Sequence, residues 1–322
     1  MKKTISIDTG NKMMKTTRHM FHSGLVESKY LPSIGGDVLN YEGKTYTVAD
    51  HNLPVLNDKS ENDRYFLLSL IAIGKELSDE AEIMRQLTPH DHIKVELLIG
   101  LPLLHHETYK ERFAKYFSNR TGVIRFELNG KSFAIRIIGA TVYPQAYAAA
   151  VTVFDKLKGS NIANIVDIGG YTVDCLKLEK FRPITTSCTS LYLGVNTLIQ
   201  SINDQMRGAG GNDIANSVIE GILRKDPADL AEYSAKRIDT VTSAAAAHTE
   251  RMLAEIEQKN FDLEEDKTVF MGGGSVLLKE YILQAEKAKK PIFIGDVHAN
   301  AIGYEKLYNK KHGGTNRQLH SA

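Results

Sequence analysis

Two short stretches of the chain repeat one pattern: Ile5-Ser6-Ile7-Asp8-Thr9-Gly10-Asn11 and Ile165-Val166-Asp167-Ile168-Gly169-Gly170-Tyr171-Thr172-Val173-Asp174. In each, an apolar, β-branched run ends in Asp and is followed closely by Gly and Thr. That pattern predicts a buried strand running into a tight turn, with a carboxylate and backbone N–H groups presented at its end. A third glycine turn, Gly272-Gly273-Gly274-Ser275, follows the apolar segment Thr268-Val269-Phe270-Met271. Two such turns facing one another can hold a polyphosphate and its magnesium ion between two halves of a molecule. The third can receive the nucleoside end.

The remaining residues limit the classes of protein this can be. A chain of 322 residues is long enough for two domains with substantial cores. Lys plus Arg total 40 against 39 Asp plus Glu, which argues against broad nucleic-acid binding and leaves little direct DNA contact expected. The two cysteines, Cys175 and Cys188, lack a Cys-x-x-Cys spacing and fit a reducing compartment. Asp8 interrupts the first apolar run too early for a secretory signal, and no apolar segment approaches the roughly 20 residues that span a bilayer. The expectation is a cytoplasmic protein with no membrane segment.

The element order predicts a mixed α/β protein. Strands and a hairpin at Gly43 fill the first 60 residues, and Tyr65 to Lys75 has helical apolar spacing. Val95 to Ile99 reads as a strand, His106 to Phe117 as a helix, and the segments around Asn129-Gly130 as a hairpin. Pro144 to Leu157 is expected to be helical. Ile162 to Ile168 begins a second domain, followed by helices at Val195 to Met206 and Ile214 to Leu223 and a turn at Asp226-Pro227. A long helix is expected over Ser243 to Lys259, then a strand at Pro291 to Ile294 and a helix from Ala299 to Tyr308. The expected domains are 1–158 and 159–300, with residues 301–322 forming a polar tail and a terminal helix, whose return to domain I is implied by the family resemblance given below.

Asp8 and Asp167 are the candidates for organising Mg²⁺, which takes oxygen ligands and keeps several waters. Phosphoryl transfer needs charge neutralisation and an aligned attacking oxygen. Gly10, Gly169 and Gly170 permit turns that expose backbone donors, and Thr9 and Thr172 add hydroxyls. No Gly-x-x-x-x-Gly-Lys-Ser/Thr run occurs, which excludes a conventional P-loop. A helix after Gly272-Gly273-Gly274 would bring partial positive charge to a phosphate or polar nucleoside group. Gly35-Gly36 is read as a structural turn. Arg207 and Asn212 are read as a polar helix connection, and the pairs His19/His22, His90/His92 and His105/His106 as surface or structural residues.

Taken in order, these motifs resemble the actin, Hsp70 and sugar-kinase superfamily, and more closely the bacterial actin-like plasmid-segregation ATPases of the ParM or StbA family. Val142-Tyr143-Pro144-Gln145-Ala146 resembles the first connector between the phosphate motifs. Val269 through Ser275 resembles the adenosine motif, and Asp296-Val297-His298-Ala299-Asn300-Ala301-Ile302-Gly303 the second connector. The resemblance implies an actin-like ATPase fold, two related domains flanking a nucleotide cleft. It places Asp8 and Asp167 at magnesium and phosphate, with Thr9, Gly10, Asn11, Lys12, Gly169, Gly170, Tyr171, Thr172, Gly194, Gly272, Gly273, Gly274 and Ser275 around ATP or ADP. Lys12 is the expected cationic phosphate contact. Gln145 falls where hydrolytic water is positioned; the related plasmid proteins often carry an acid there, and Gln can orient water by hydrogen bonding but is not a strong base.

The resemblance further implies ATP hydrolysis to ADP and phosphate, head-to-tail self-association into helical filaments, and a DNA-bound partition adaptor that carries DNA recognition. A sugar kinase-like phosphotransferase with a second substrate pocket, or a cytoskeletal filament without plasmid cargo, are the alternatives.

Overall fold

The computed structural model describes residues 1–28, 36–49, 56–80, 91–225 and 227–312. Gly35, His90, Asp226 and the tail after His312 lie outside the described residues. The chain falls into two compact units, one made of Met1–Thr152 and the chain from His298 on, the other of Val153–Val297. The first changeover precedes residue 158 because the 3-10 turn Phe154–Leu157 packs within the second unit: the Phe154 and Phe181 rings stand 5.1 Å apart and Leu157 is buried. The second precedes residue 300, since His298 and Asn300 both bond to residues of the first unit.

One mixed sheet carries the first unit. Strand β1 (Lys2–Thr9) becomes fully buried toward its C-terminal end and turns at Gly10 into antiparallel β2 (Met13–Lys15), which pairs with β3 (Met20–His22). Next come β4 (Gly24–Ser28), β5 (Val38–Tyr41) and β6 (Lys44–Ala49). Strand β7 (Ile93–Leu101) lies parallel to β1, and the hairpin of β8 (Ile124–Leu128) and β9 (Lys131–Pro144) sets β9 parallel to β7. The order is β3-β2-β1-β7-β9-β8-β5-β6-β4. Both expected hairpins turn on left-handed pairs, Glu42-Gly43 at φ 49° and 76° and Asn129-Gly130 at φ 51° and 77°, as two-residue turns require.

Helix Arg64–Ser78 buries every residue from Tyr65 to Gly74. A helix apolar on all faces belongs inside a core, and Gly74 lets it approach β8: a Cβ there would stand 2.7 Å from Leu128 Cδ2. By contrast, helix Leu103–Ser118 buries only Phe113 and Phe117, one stripe at i and i+4.

The expected helix over 144–157 is not one helix. Pro144 ends β9, only Tyr147–Val151 is α-helical, and Val153 leaves helical space at φ −119°. The β-branched run Val151-Thr152-Val153 accounts for the break. The short helix that remains packs against the last helix, Ala299–His312, at Gly303, where a Cβ would lie 2.0 Å from the Ala148 carbonyl oxygen.

The second unit has strands β10 (Ile162–Ile168), β11 (Val173–Glu179), β12 (Arg182–Leu191), β13 (Lys267–Met271) and β14 (Pro291–Phe293), ordered β12-β11-β10-β13-β14. Helices Val195–Gly208, Asn216–Arg224, Pro227–Glu232 and Ala235–Gln258 form the long connection that a parallel neighbour demands. The last begins at Ala235 rather than Ser243, because Ser234 is the extended residue that opens it. Val166, Ile168, Leu198, Ile222, Leu253 and Phe270 centre the core.

The two sheets share one plan. In β3-β2-β1-β7-β9 and β12-β11-β10-β13-β14 the first two pairings are antiparallel and the last two parallel. Asp8 faces Lys15 across the first turn, and Asp167 faces Asp174 across its counterpart. The repeated sequence device is therefore a repeated structure. Among the described residues, no helix is long and apolar enough to cross a membrane.

Candidate functional site

Strand β1 delivers Asp8 to the end of the first sheet, where the residue is only 3% exposed. A buried carboxylate requires polar partners. Gln145 Nε2 donates to Asp8 Oδ1 at 2.6 Å, Lys15 Nζ stands 3.7 Å from Oδ2, and Asn300 Nδ2 lies 3.4 Å from Oδ2. The Tyr304 hydroxyl completes the surround at 3.5 Å from Oδ1. Tyr304 fits there because residue 100 is glycine; a Cβ on Gly100 would stand 1.8 Å from the Tyr304 oxygen.

Gln145 is held by a strained turn. Its backbone N–H donates to the Leu101 carbonyl at 2.8 Å, and Tyr147 N–H donates back to the Gln145 carbonyl at 2.7 Å. Between them Ala146 sits at φ 62°, ψ −54°, a γ-turn geometry that costs a non-glycine residue about 1–3 kcal/mol. Asn300 Oδ1 stabilises it by accepting the Ala146 N–H at 3.0 Å. Because the Gln145 amide nitrogen donates to the carboxylate, its Oε1 is the amide's remaining acceptor.

The rest of the first loop is built from behind. The Thr9 hydroxyl donates to Gly100 O at 2.7 Å and is buried, so it ties β1 to β7 rather than facing a ligand. Asn11 Oδ1 accepts the Tyr65 hydroxyl at 2.7 Å. Gly10 admits the hairpin, since a Cβ there would meet Met13 O at 2.3 Å, and Ser23 Oγ donates to its carbonyl at 2.7 Å. The cation beside Asp8 is Lys15, while Lys12, the expected phosphate contact, is half-buried on the turn before it. The missed signal was positional: Lys15 occupies the place that Asp174 holds in the twin motif. Lys59, Asn300 and Tyr304 were also missed, because only the fold brings them to β1.

In the second unit, Gly169 N–H donates to Thr172 O at 2.8 Å and closes the turn after β10. Gly194 lies flat on this turn, where a Cβ would be 2.5 Å from the Tyr171 carbonyl carbon. The next two N–H groups, of Val195 and Asn196, donate to Gly169 O at 3.1 Å and Gly170 O at 2.8 Å. The start of helix Val195–Gly208 is thus stitched to the loop. Thr172 Oγ1 lies 3.2 Å from Asp174 Oδ2 and orients that carboxylate.

The three glycines of the third turn do different things. Gly272 adopts φ 82°, and a Cβ on it would stand 2.3 Å from Asp167 Oδ1; Gly274 packs on Ile168, with 2.3 Å left to Cγ2. Gly273 alone opens onto free space. Ser275 is buried, and its hydroxyl donates to Gly272 O at 2.8 Å, so it shapes the turn. The helix that follows, Gly273–Leu277, has 5 residues. It is too short to bring the partial charge expected of it.

Several other readings resolve simply. Arg207 binds Asp213 at 2.5 Å and Asp204 at 2.5 Å on the surface. Burial, then Asp174 and Asp167, push the Cys175 thiol well above its usual range, which suits an inert core residue. His248 Nε2 lies 3.0 Å from Leu193 O, directly before Gly194, and burial holds its pKa below the usual value.

The paired sheets with this strand order form an actin-like fold. A family model described as the N-terminal domain of actin-like proteins matches residues 6–147, and another, the C-terminal domain of archaeal MreB-like actin homologues, matches residues 165–284. The first match lies within the first unit and the second within the second unit, and both models describe actin-like domains. The archaeal actin homologue Ta0583 in complex with ADP is 16% identical, with TM-score 0.67, over 95% of this chain and 99% of that one. The actin-like protein Alp7A is 14% identical, with TM-score 0.70, over 99% and 100%. ParM in a 15-stranded filament from Clostridium botulinum is 16% identical, with TM-score 0.69, over 96% and 100%. No curated protein sequence matches the chain significantly.

Proposed function

We propose that the chain is an actin-like ATPase that polymerises with nucleotide and disassembles after hydrolysis. The observation that carries this reading is the buried Asp8 carboxylate at the end of a glycine-turned strand, held by Gln145, Lys15, Asn300 and Tyr304. Asp167 with Asp174 is its counterpart in the second unit. Within the second unit, the glycine turn after β10 would receive the phosphates of a magnesium–nucleotide, and Gly273, the open member of the third turn, the nucleoside.

The residues suit magnesium. Asp167 and Asp174 oppose each other on antiparallel strands, a like-charge pair that a cation relieves. In the first unit, the Asp8 carboxylate is likewise a hard oxygen donor of the kind Mg²⁺ prefers. When bound, the ion supplies charge neutralisation on the phosphate oxygens. Gln145 orients the attacking water through Oε1 while Asp8 fixes its amide. With no carboxylate at that position, hydrolysis relies on orientation rather than on a strong base.

Filament formation is supported by the likeness to the ParM filament and the Alp12 filament. Head-to-tail contacts between unlike faces give an open polymer. A DNA-bound adaptor would make the polymer a plasmid-segregation motor, and the near-neutral formal charge of +1 leaves DNA recognition to that adaptor. Time-resolved light scattering followed by electron microscopy tests the proposal. Filaments with magnesium–ATP and shorter-lived assembly with ADP are expected; persistent monomers despite demonstrated nucleotide binding would overturn the polymer reading.

A further inference from the structure

We propose that Lys59 is a positioning residue for the first phosphate loop: its buried ammonium grips the Thr9 carbonyl and so fixes where β1 ends and how Asp8 is presented. The proposal rests on reading that loop as nucleotide-binding. Lys59 is 2% exposed, which is exceptional for a lysine and requires that its charge be satisfied by fixed polar groups. Its Nζ donates to Thr9 O and lies 3.4 Å from Thr9 Oγ1. It also stands 5.2 Å from the centre of the Tyr65 ring, a cation–π arrangement.

The same ring reaches the other side of the turn, since the Tyr65 hydroxyl donates to Asn11 Oδ1 at 2.7 Å. Lys59 and Tyr65 therefore hold the residues immediately before and after Gly10. Lys59 is itself held by a local turn: Asp58 Oδ1 accepts the Ser60 N–H at 2.9 Å, and Asp58 Oδ2 pairs with Arg112 of helix Leu103–Ser118 at 2.8 Å. A rigid turn thus delivers one ammonium to one carbonyl. The arrangement also places the Lys59 amine behind a loop read as receiving an anion, where a positive charge favours binding.

The test uses the full chain with Lys59→Met, Lys59→Arg and Tyr65→Phe. In nucleotide-free protein, hydrogen exchange over residues 6–14 should be faster in Lys59→Met than in the wild type, and Lys59→Arg should restore protection. With magnesium–ADP as the probe, calorimetry should show affinity about tenfold weaker for Lys59→Met and largely recovered by Lys59→Arg, as expected for a charge-assisted bond. Unchanged exchange together with unchanged ADP affinity in folded Lys59→Met overturns the proposal. Should Lys59→Met not fold, the other two variants decide. Wild-type exchange in Lys59→Arg with faster exchange in Tyr65→Phe supports the clamp, and wild-type exchange in both refutes it. A wild-type protein that binds no nucleotide would sink the functional reading instead, while the exchange comparison still judges the clamp.

Discussion

Asn300 accepts the backbone N–H of Ala146 at 3.0 Å and also brings its Nδ2 to 3.4 Å from Asp8 Oδ2. One side chain near the start of the last helix therefore braces the turn behind Gln145 and the carboxylate that Gln145 binds. Removing it frees a strained backbone and loosens both groups. Asn300→Ala should lower ATP turnover by about tenfold, the scale expected when a reacting group is misplaced slightly. Steady-state phosphate release on the folded variant checks this.

Gln145→Ala should separate hydrolysis from binding. Orientation of water matters chiefly in the transition state, so kcat should fall by roughly 10²-fold while ATP affinity changes little. Equal phosphate release by variant and wild type under matched assembly conditions would exclude the role.

The twin carboxylates predict a shared dependence. Asp8→Asn and Asp167→Asn should each weaken magnesium–ATP binding by about 10–100-fold, and Lys15→Met should weaken it without abolishing folding. Calorimetry at several magnesium concentrations distinguishes the variants: the Asn substitutions should flatten the magnesium dependence and Lys15→Met should keep it.

Packing at Gly303 supplies a stability prediction independent of nucleotide. A Cβ there would press on the Ala148 carbonyl at 2.0 Å, and backbone cannot rotate away as a side chain can. Gly303→Ala should destabilise the first unit by about 1–3 kcal/mol, read as a lower denaturation midpoint. Gly273→Ala, at an open position, should leave that midpoint unchanged.

His248 gives stability a pH dependence. Burial, with Arg251 nearby, holds the folded imidazole below its usual 6.5, although the Leu193 carbonyl and Glu255 pull the other way. Below about pH 6.5 the unfolded chain takes up a proton that the folded one resists, so stability present above that pH is lost on acidification. Glu305 is shifted up by burial and contributes the opposite slope at lower pH. Comparing denaturation of the wild type and His248→Gln between pH 7.5 and 5.5 should show a shallower fall in the variant.

Much of the architecture was legible because the signals were local. Asp8-Thr9-Gly10 and Asp167 through Gly170 declare themselves as strand ends, and the hairpin pairs Glu42-Gly43 and Asn129-Gly130 satisfy a backbone requirement that few residues meet. What the sequence concealed depends on partners distant along the chain. Thr9 and Ser275 looked like ligand hydroxyls, but their bonds run to Gly100 and Gly272. Lys15 drew no notice because strand pairing, not proximity to glycine, brings it opposite Asp8. The broken helix after Pro144 shows β-branched residues prevailing over an apolar pattern that looked helical.

The return of the last helix to the first unit has a consequence for the order in which the protein is made. Asn300 and Tyr304, two of the groups around Asp8, follow it on the ribosome by 292 and 296 residues. The whole second unit is synthesised in between. Until then Gly100 and Ala148 lack the helix that seats against them, and the turn after β1 is missing part of its wall. A nascent chain therefore acquires its complete Asp8 environment only after the whole second unit has been made.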